Sequence, residues 1–158
     1  MVDIKISAFE HLNKKEKYEL AYKSINSLLK DEPDVVANMA NTAALLKQVF
    51  NFFWVGFYFN KGNELVLGPF QGPIACTRIA FNKGVCGKAA STKKTVVVPN
   101  VNQFPNHISC NEKSKSEIVV PFIKENKTIF VLDVDSEFED HFDQTDQQYL
   151  EMTIQLFT

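Results

Sequence analysis

Residues 53–68 read FWVGFYFNKGNELVLG, and the fold turns on this stretch. Phe53 to Phe59 is an aromatic and apolar run that reads as a buried strand. Asn60-Lys61-Gly62-Asn63 supplies a hairpin turn, and Glu64–Gly68 returns as the partner strand. Upstream the period is helical. Tyr18, Ala21, Tyr22, Ile25, Leu28 and Leu29 recur at spacings that predict an amphipathic helix over about 14–29. Asp31-Glu32-Pro33-Asp34 breaks it. A second helix over about 34–50 puts Val35, Met39, Ala43, Leu46 and Phe50 on one side, with small residues at Ala37, Ala40 and Ala44 to allow close packing.

Downstream, the segment after Pro69 reads as irregular, because Gly72-Pro73 breaks regular structure. A short helix is expected near Val85–Thr92 and a short strand over Thr95–Val98. A long loop, VNQFPNHISCNEKSKS (101–116), follows; loops of this length are usually functional or disordered, and its Phe104, Pro105, His107 and Ile108 argue for order. Ile118–Ile123 and Thr128–Val134 make two strands around the turn at Lys124–Lys127, and Asp143 caps a last helix to about Phe157. The order predicts an α+β fold, a mainly antiparallel sheet covered by N- and C-terminal helices.

The 158 residues suit one domain over 1–158, with helices in 14–50, sheet and loops in 53–135 and a final helix in 143–157. Hydrophobic residues make up 45% and charged ones 23%, as in ordinary globular proteins. A net charge of −2 offers no basic footprint for nucleic acid. No apolar run reaches the roughly 18 residues of a membrane span, and the N-terminus lacks signal-peptide features. A cytoplasmic, reducing location is expected, where three cysteines do not make a disulfide framework.

Those cysteines are the chemical feature. Cys110 sits on the long loop, hinged to a buried strand, where a reactive thiol can meet substrate. Cys76 and Cys86 lie upstream. A zinc site adding His107 would lack the paired short ligand spacings of common structural sites. A Cys–His hydrolase with His107 as base would need a geometry that sequence neighbours seldom give. A thiol redox pair needs two cysteines whose Cα atoms come within about 4.4–6.8 Å, which spacing alone does not decide. Asp133 and Asp135 alternate at a strand end and so share a face, about 7 Å apart. Taken alone they solvate a strand end; Glu117, opening the neighbouring strand, has the same two readings. Trp54 in a buried strand is ordinarily core. All four gain a role if they flank one concavity.

The motifs LVLGPFQG (65–72), ACTRI (75–79), KGVCG (83–87), FPNHISC (104–110), SEIVVP (116–121) and VLDVDS (131–136) resemble those of the free methionine-(R)-sulfoxide reductases, single-domain proteins of GAF fold. ANMANTAALL (37–46) and the strand around Trp54 match as well, so the resemblance covers nearly the whole chain. The chain departs from the usual pattern at Ile74, Asn102, Asn106, Asn111 and Phe130, which bears on loop geometry and rate rather than on reaction type.

The resemblance implies that Cys110 is the nucleophile and that Cys86 and Cys76 resolve it. Glu117, Asp133 and Asp135 would bind the substrate ammonium, with Glu117 or Asp135 supplying a proton. Trp54 would meet the methyl-sulfinyl end, and loop N–H groups the free carboxylate. The implied partners are free methionine (R)-sulfoxide, a dithiol reductant such as thioredoxin and a second copy in a homodimer, with no metal or other cofactor. Between the resolving candidates, the start of the short helix favours thiolate character at Cys86, so Cys86 is expected in the stable disulfide, with Cys76 able to substitute. The competing reading is a GAF module that binds a small ligand without chemistry.

Overall fold

The computed structural model describes residues 4–108 and 110–157. Asn13 opens helix α1 (Lys14–Leu29) through a capping box: its side chain accepts from the Glu16 N–H, and the Glu16 carboxylate accepts from the Asn13 N–H. Tyr18, Ala21 and Ile25 form the buried face. Asp34 caps α2 (Val35–Phe50) by accepting from the Ala37 N–H, and the helix ends at Asn51 in a left-handed conformation. Val35, assigned to the packed side by spacing, is 42% exposed, because it lies in the first turn beside the α1–α2 connection.

The strands are β1 (Trp54–Asn60), β2 (Glu64–Gln71), β3 (Arg78–Ala80), β4 (Val96–Val98), β5 (Ser116–Lys124) and β6 (Lys127–Ser136). Helix α3 (Gly84–Thr92) falls between β3 and β4, and α4 (Gln144–Ile154) follows β6. All pairings are antiparallel, in the order β3-β2-β1-β6-β5-β4, so the fold is α+β as expected. The segment after Pro69 is more regular than its composition suggests. Strand β2 runs on to Gln71, because Gly68 and Pro69 together face Phe57 in a bulge that spares proline a ladder hydrogen bond. The three residues of β3 are ordered by pairing with β2, which no local signal announces.

Alternation divides the sheet into two faces. Val55, Phe57, Ile118, Val120, Leu132 and Val134 meet α1, α2 and α4 in the larger core. The Tyr18 hydroxyl donates to buried Asp146 at 2.8 Å and Lys14 pairs with the same carboxylate, tying α4 to α1. The terminal helices thus cover one face only. The other carries Trp54, Tyr58, Val119 and Val131 and packs on α3 through Val85, Cys86 and Ala89. What α3 leaves uncovered on that second face becomes the site.

Candidate active site

Strand register assembles the polar part of the second face. Asp135 lies opposite both Trp54 on β1 and Glu117 on β5, and Asp133 lies opposite Gly56 and Val119. The three carboxylates therefore share one patch of sheet beside the indole. Trp54 is framed by glycines: a Cβ on Gly56 would lie 2.3 Å from its ring, and one on Gly72 would lie 2.6 Å from it. Gly72 also takes φ +141°, which L side chains rarely adopt.

Two loops roof this patch. The indole N–H donates to the Pro73 carbonyl at 3.1 Å and the Tyr58 hydroxyl to the Cys76 carbonyl at 3.0 Å, so the sheet holds the 72–77 loop from below. The Gly84 N–H donates to the Asn106 carbonyl at 3.2 Å, which docks the 104–115 loop on the start of α3. Asn106 takes φ +57°, a conformation asparagine tolerates, so its departure from glycine leaves the turn intact. The Asn111 side chain accepts from the Lys113 N–H at 3.0 Å, as an aspartate could. Phe130 lies in the opposite core, stacked on Phe122 and away from the site. Asn102 is exposed, and Ile74, 89% exposed, stands at the rim. Ser109 of the FPNHISC motif lies outside the described residues.

The partly open cavity spans about 540 Å³ with its mouth and adjoining solvent counted, and Trp54, Cys86, Cys110, Glu117, Asp133 and Asp135 all line it. The seventh predicted residue, Cys76, is bonded to Cys110 in a disulfide with Cα atoms 5.4 Å apart. Cys86 is the free thiol. Thiolate character had favoured Cys86 as the disulfide partner, and the outcome is the reverse. At 3% exposure, burial pushes the Cys86 thiol well up, and Asp133 and Glu117 push it further. That outweighs the helix terminus, while Cys76 on its loop has the reach.

Burial likewise raises all three carboxyls. Glu117 is pushed well up by desolvation and then by Asp135, against a hydrogen bond from Asp133. Asp133 is pushed well up by desolvation, Asp135 and Glu117. Asp135 rises to about 6, held there against the hydrogen bond from Ser114 and the nearby His107. Asp133 Oδ1 has no hydrogen-bond partner among the described residues. His107 Nε2 stands 3.6 Å from Glu117 Oε2, and burial lowers its pKa. Such a pocket attracts a compact cation and keeps a protonated carboxyl beside a redox-active sulfur.

Tyr58, Ser114 and His107 bring further polar groups to the lining. Tyr58 shares a face with Trp54 and could have been found from that alternation. Ser114 carries no local signal. His107 suggests only a zinc ligand or a base from its sequence position.

No helix among the described residues is long and apolar enough to cross a membrane. A GAF domain model matches residues 30–157. The chain is 52% identical over 145 residues to GAF domain-containing protein A of Dictyostelium discoideum, covering 91% of this chain and 92% of that protein. It is 42% identical over 155 residues to the free methionine-R-sulfoxide reductase of Saccharomyces cerevisiae, covering 92% and 86%. The X-ray structure of free methionine-R-sulfoxide reductase from Neisseria meningitidis in complex with its substrate superposes with a TM-score of 0.94 at 47% identity, covering 99% and 93% of the two chains. With the fold, the roofed acidic cavity and the Cys76–Cys110 bridge in hand, these likenesses place the chain in the GAF-domain family, among the free methionine-R-sulfoxide reductases.

Proposed function

We propose that this protein reduces free L-methionine (R)-sulfoxide to L-methionine. The observation that carries the reading is the Cys76–Cys110 disulfide beside a cavity lined by Trp54, the buried carboxyls of Glu117 and Asp133 and the half-buried one of Asp135. The substrate ammonium sits among Glu117, Asp133 and Asp135, where Asp133 Oδ1 offers an unused acceptor. The methyl-sulfinyl end packs on Trp54, and the substrate carboxylate takes backbone N–H groups of the 104–115 loop.

The chemistry has two steps. The Cys110 thiolate attacks the sulfoxide sulfur and the oxygen takes up a proton. The oxygen then passes to sulfur, leaving methionine and a Cys110 sulfenic acid. Cys76 attacks that sulfenic sulfur, forming the disulfide and releasing water. Asp135 is the preferred proton donor: with its carboxyl raised to about 6, it is protonated in a usable fraction near neutrality. Glu117 backs it and orients the ammonium. The neutral, buried Cys86 thiol is a reserve resolver, reached only if its surroundings open. A thioredoxin-like dithiol restores the thiols, and the cytoplasm and a homodimer are the setting that the family suggests.

A site built around an ammonium also explains selection of the free amino acid. A peptide-bound sulfoxide has no ammonium to offset the buried acids, and leaving such charges unpaired is costly. The test is consumption of the free R-epimer with a dithiol reductant, with the S-epimer and Cys110→Ser as controls. Reduction confined to the R-epimer and abolished in Cys110→Ser supports the reading. Binding without turnover would make the protein a ligand-sensing module instead.

A further inference from the structure

Cys86, Glu117 and Asp133 each bring one ligand atom to a cluster in which all the atoms lie within 4.8 Å of one another. The three residues come from α3, β5 and β6 and are 3%, 6% and 6% exposed. While it stays buried, the Cys86 thiol takes no part in the sulfoxide reduction and is held only as a reserve resolver. The buried Oδ1 of Asp133 is unpartnered among the described residues, and the acceptor it offers the substrate ammonium is open to another cation when substrate is absent.

The donor set selects the ion. One sulfur and two carboxylate oxygens are too few and too soft for calcium or magnesium, which take six or more oxygens. They suit zinc, which accepts mixed sulfur, nitrogen and oxygen ligands and often keeps three protein ligands with a fourth position open. Zinc distances of about 2.3 Å to sulfur and 2.0 Å to oxygen put tetrahedral ligands about 3.3–3.5 Å apart, so separations of up to 4.8 Å contract by about 1.5 Å at most. His107 Nε2 lies 3.6 Å from Glu117 Oε2, outside the three-ligand cluster itself.

We propose that Cys86, Glu117 and Asp133 bind Zn²⁺ in the cavity, at the place where the substrate ammonium sits, and that zinc thereby inhibits the enzyme. Binding converts the Cys86 S–H to a Zn–S bond and releases that proton to solvent, together with any proton the two carboxyls carry. The oxidation state of every atom is unchanged. Three anionic ligands meet a dication, which neutralises the buried acids more completely than an ammonium does. The inhibition rests on the proposed substrate pose; the metal binding does not.

The disulfide form is the right sample, because Cys86 is then its single thiol. Cobalt(II) serves as a spectroscopic stand-in and zinc is titrated by calorimetry. We expect one equivalent of metal, a thiolate-to-cobalt charge-transfer band, loss of the band in Cys86→Ser, and loss of zinc binding in Asp133→Asn of unchanged fold. Free methionine sulfoxide should bleach the band, and in the reduced enzyme zinc should raise KM with kcat unchanged. Absence of the band, or zinc binding undiminished in both Cys86→Ser and Asp133→Asn, would overturn the site. A band that survives saturating substrate would overturn the competition while leaving the metal site and the reductase reading intact.

Discussion

Replacing Asp135 by Asn should make the substrate-free protein more stable, by an amount that grows as pH rises from about 4. The native carboxyl is raised to about 6 by burial, against an ordinary value of 3.8. At about 1.4 kcal/mol per pKa unit, this difference of roughly 2 units costs the ionised native state at most about 3 kcal/mol. Partial access to the cavity mouth brings the expectation to about 2 kcal/mol. The sign follows from linkage. Since the native pKa lies above the unfolded one, the native state holds the extra proton between about pH 4 and 6, and wild-type stability falls as pH rises through that window. Asparagine has no charge to bury and keeps an oxygen that can accept from Ser114. The difference should therefore be near zero around pH 4 and reach about 2 kcal/mol near pH 7.5, about 4–8 °C in Tm for a chain of this size. Urea unfolding of the disulfide form at several pH values measures it. An advantage equally large near pH 4, or none near pH 7.5, would refute the electrostatic account. Activity should fall in the same variant, the usual exchange between stability and a functional buried charge.

Cys76→Ser should release about one equivalent of methionine per chain in a fast burst and then cycle slowly with a dithiol reductant, because the sulfenic acid loses its partner within reach; rapid-quench product counting decides this. Mapping wild-type protein after one turnover should find Cys76 joined to Cys110, with Cys86 alkylated only after unfolding. Gly56→Ala places a methyl 2.3 Å from the Trp54 ring and 2.5 Å from Phe70 Cβ, and should destabilise by about 1–3 kcal/mol while raising KM, as read by denaturant melts and steady-state kinetics. Acetylating the amine and amidating the carboxylate of the substrate should lower kcat/KM by about 100-fold or more, since a buried acid is left without its cation. Equal rates on free and blocked sulfoxide would contradict the ammonium pose.

Period two made much of the site legible, and the exceptions show what local pattern omits. Asp133 and Asp135 share a face because they alternate in one strand, and Trp54 shares that face because register sets it opposite Asp135. The disulfide partner was not legible, because exposure and reach belong to tertiary structure: the same helix start that favours a thiolate at Cys86 also buries it between α3 and the acids.

Glu117 is the instructive case. The hairpin turn pairs Lys124 with Lys127 and Ile123 with Thr128, and continuing that register would set Glu117 opposite Val134. Val134 faces the terminal helices, so Glu117 would point into the wrong core. Instead the register shifts by one between Phe122 and Ile123, with Phe122 opposite Phe130 and Ile129 as the extra residue. A one-residue shift exchanges the faces of a strand. Beyond the bulge Glu117 stands opposite Asp135, and the three carboxylates gather on the cavity side. Ile129, 40% exposed and far along the strand from the acids, carries no chemistry itself. Yet the irregularity it makes decides which face of β5 has any.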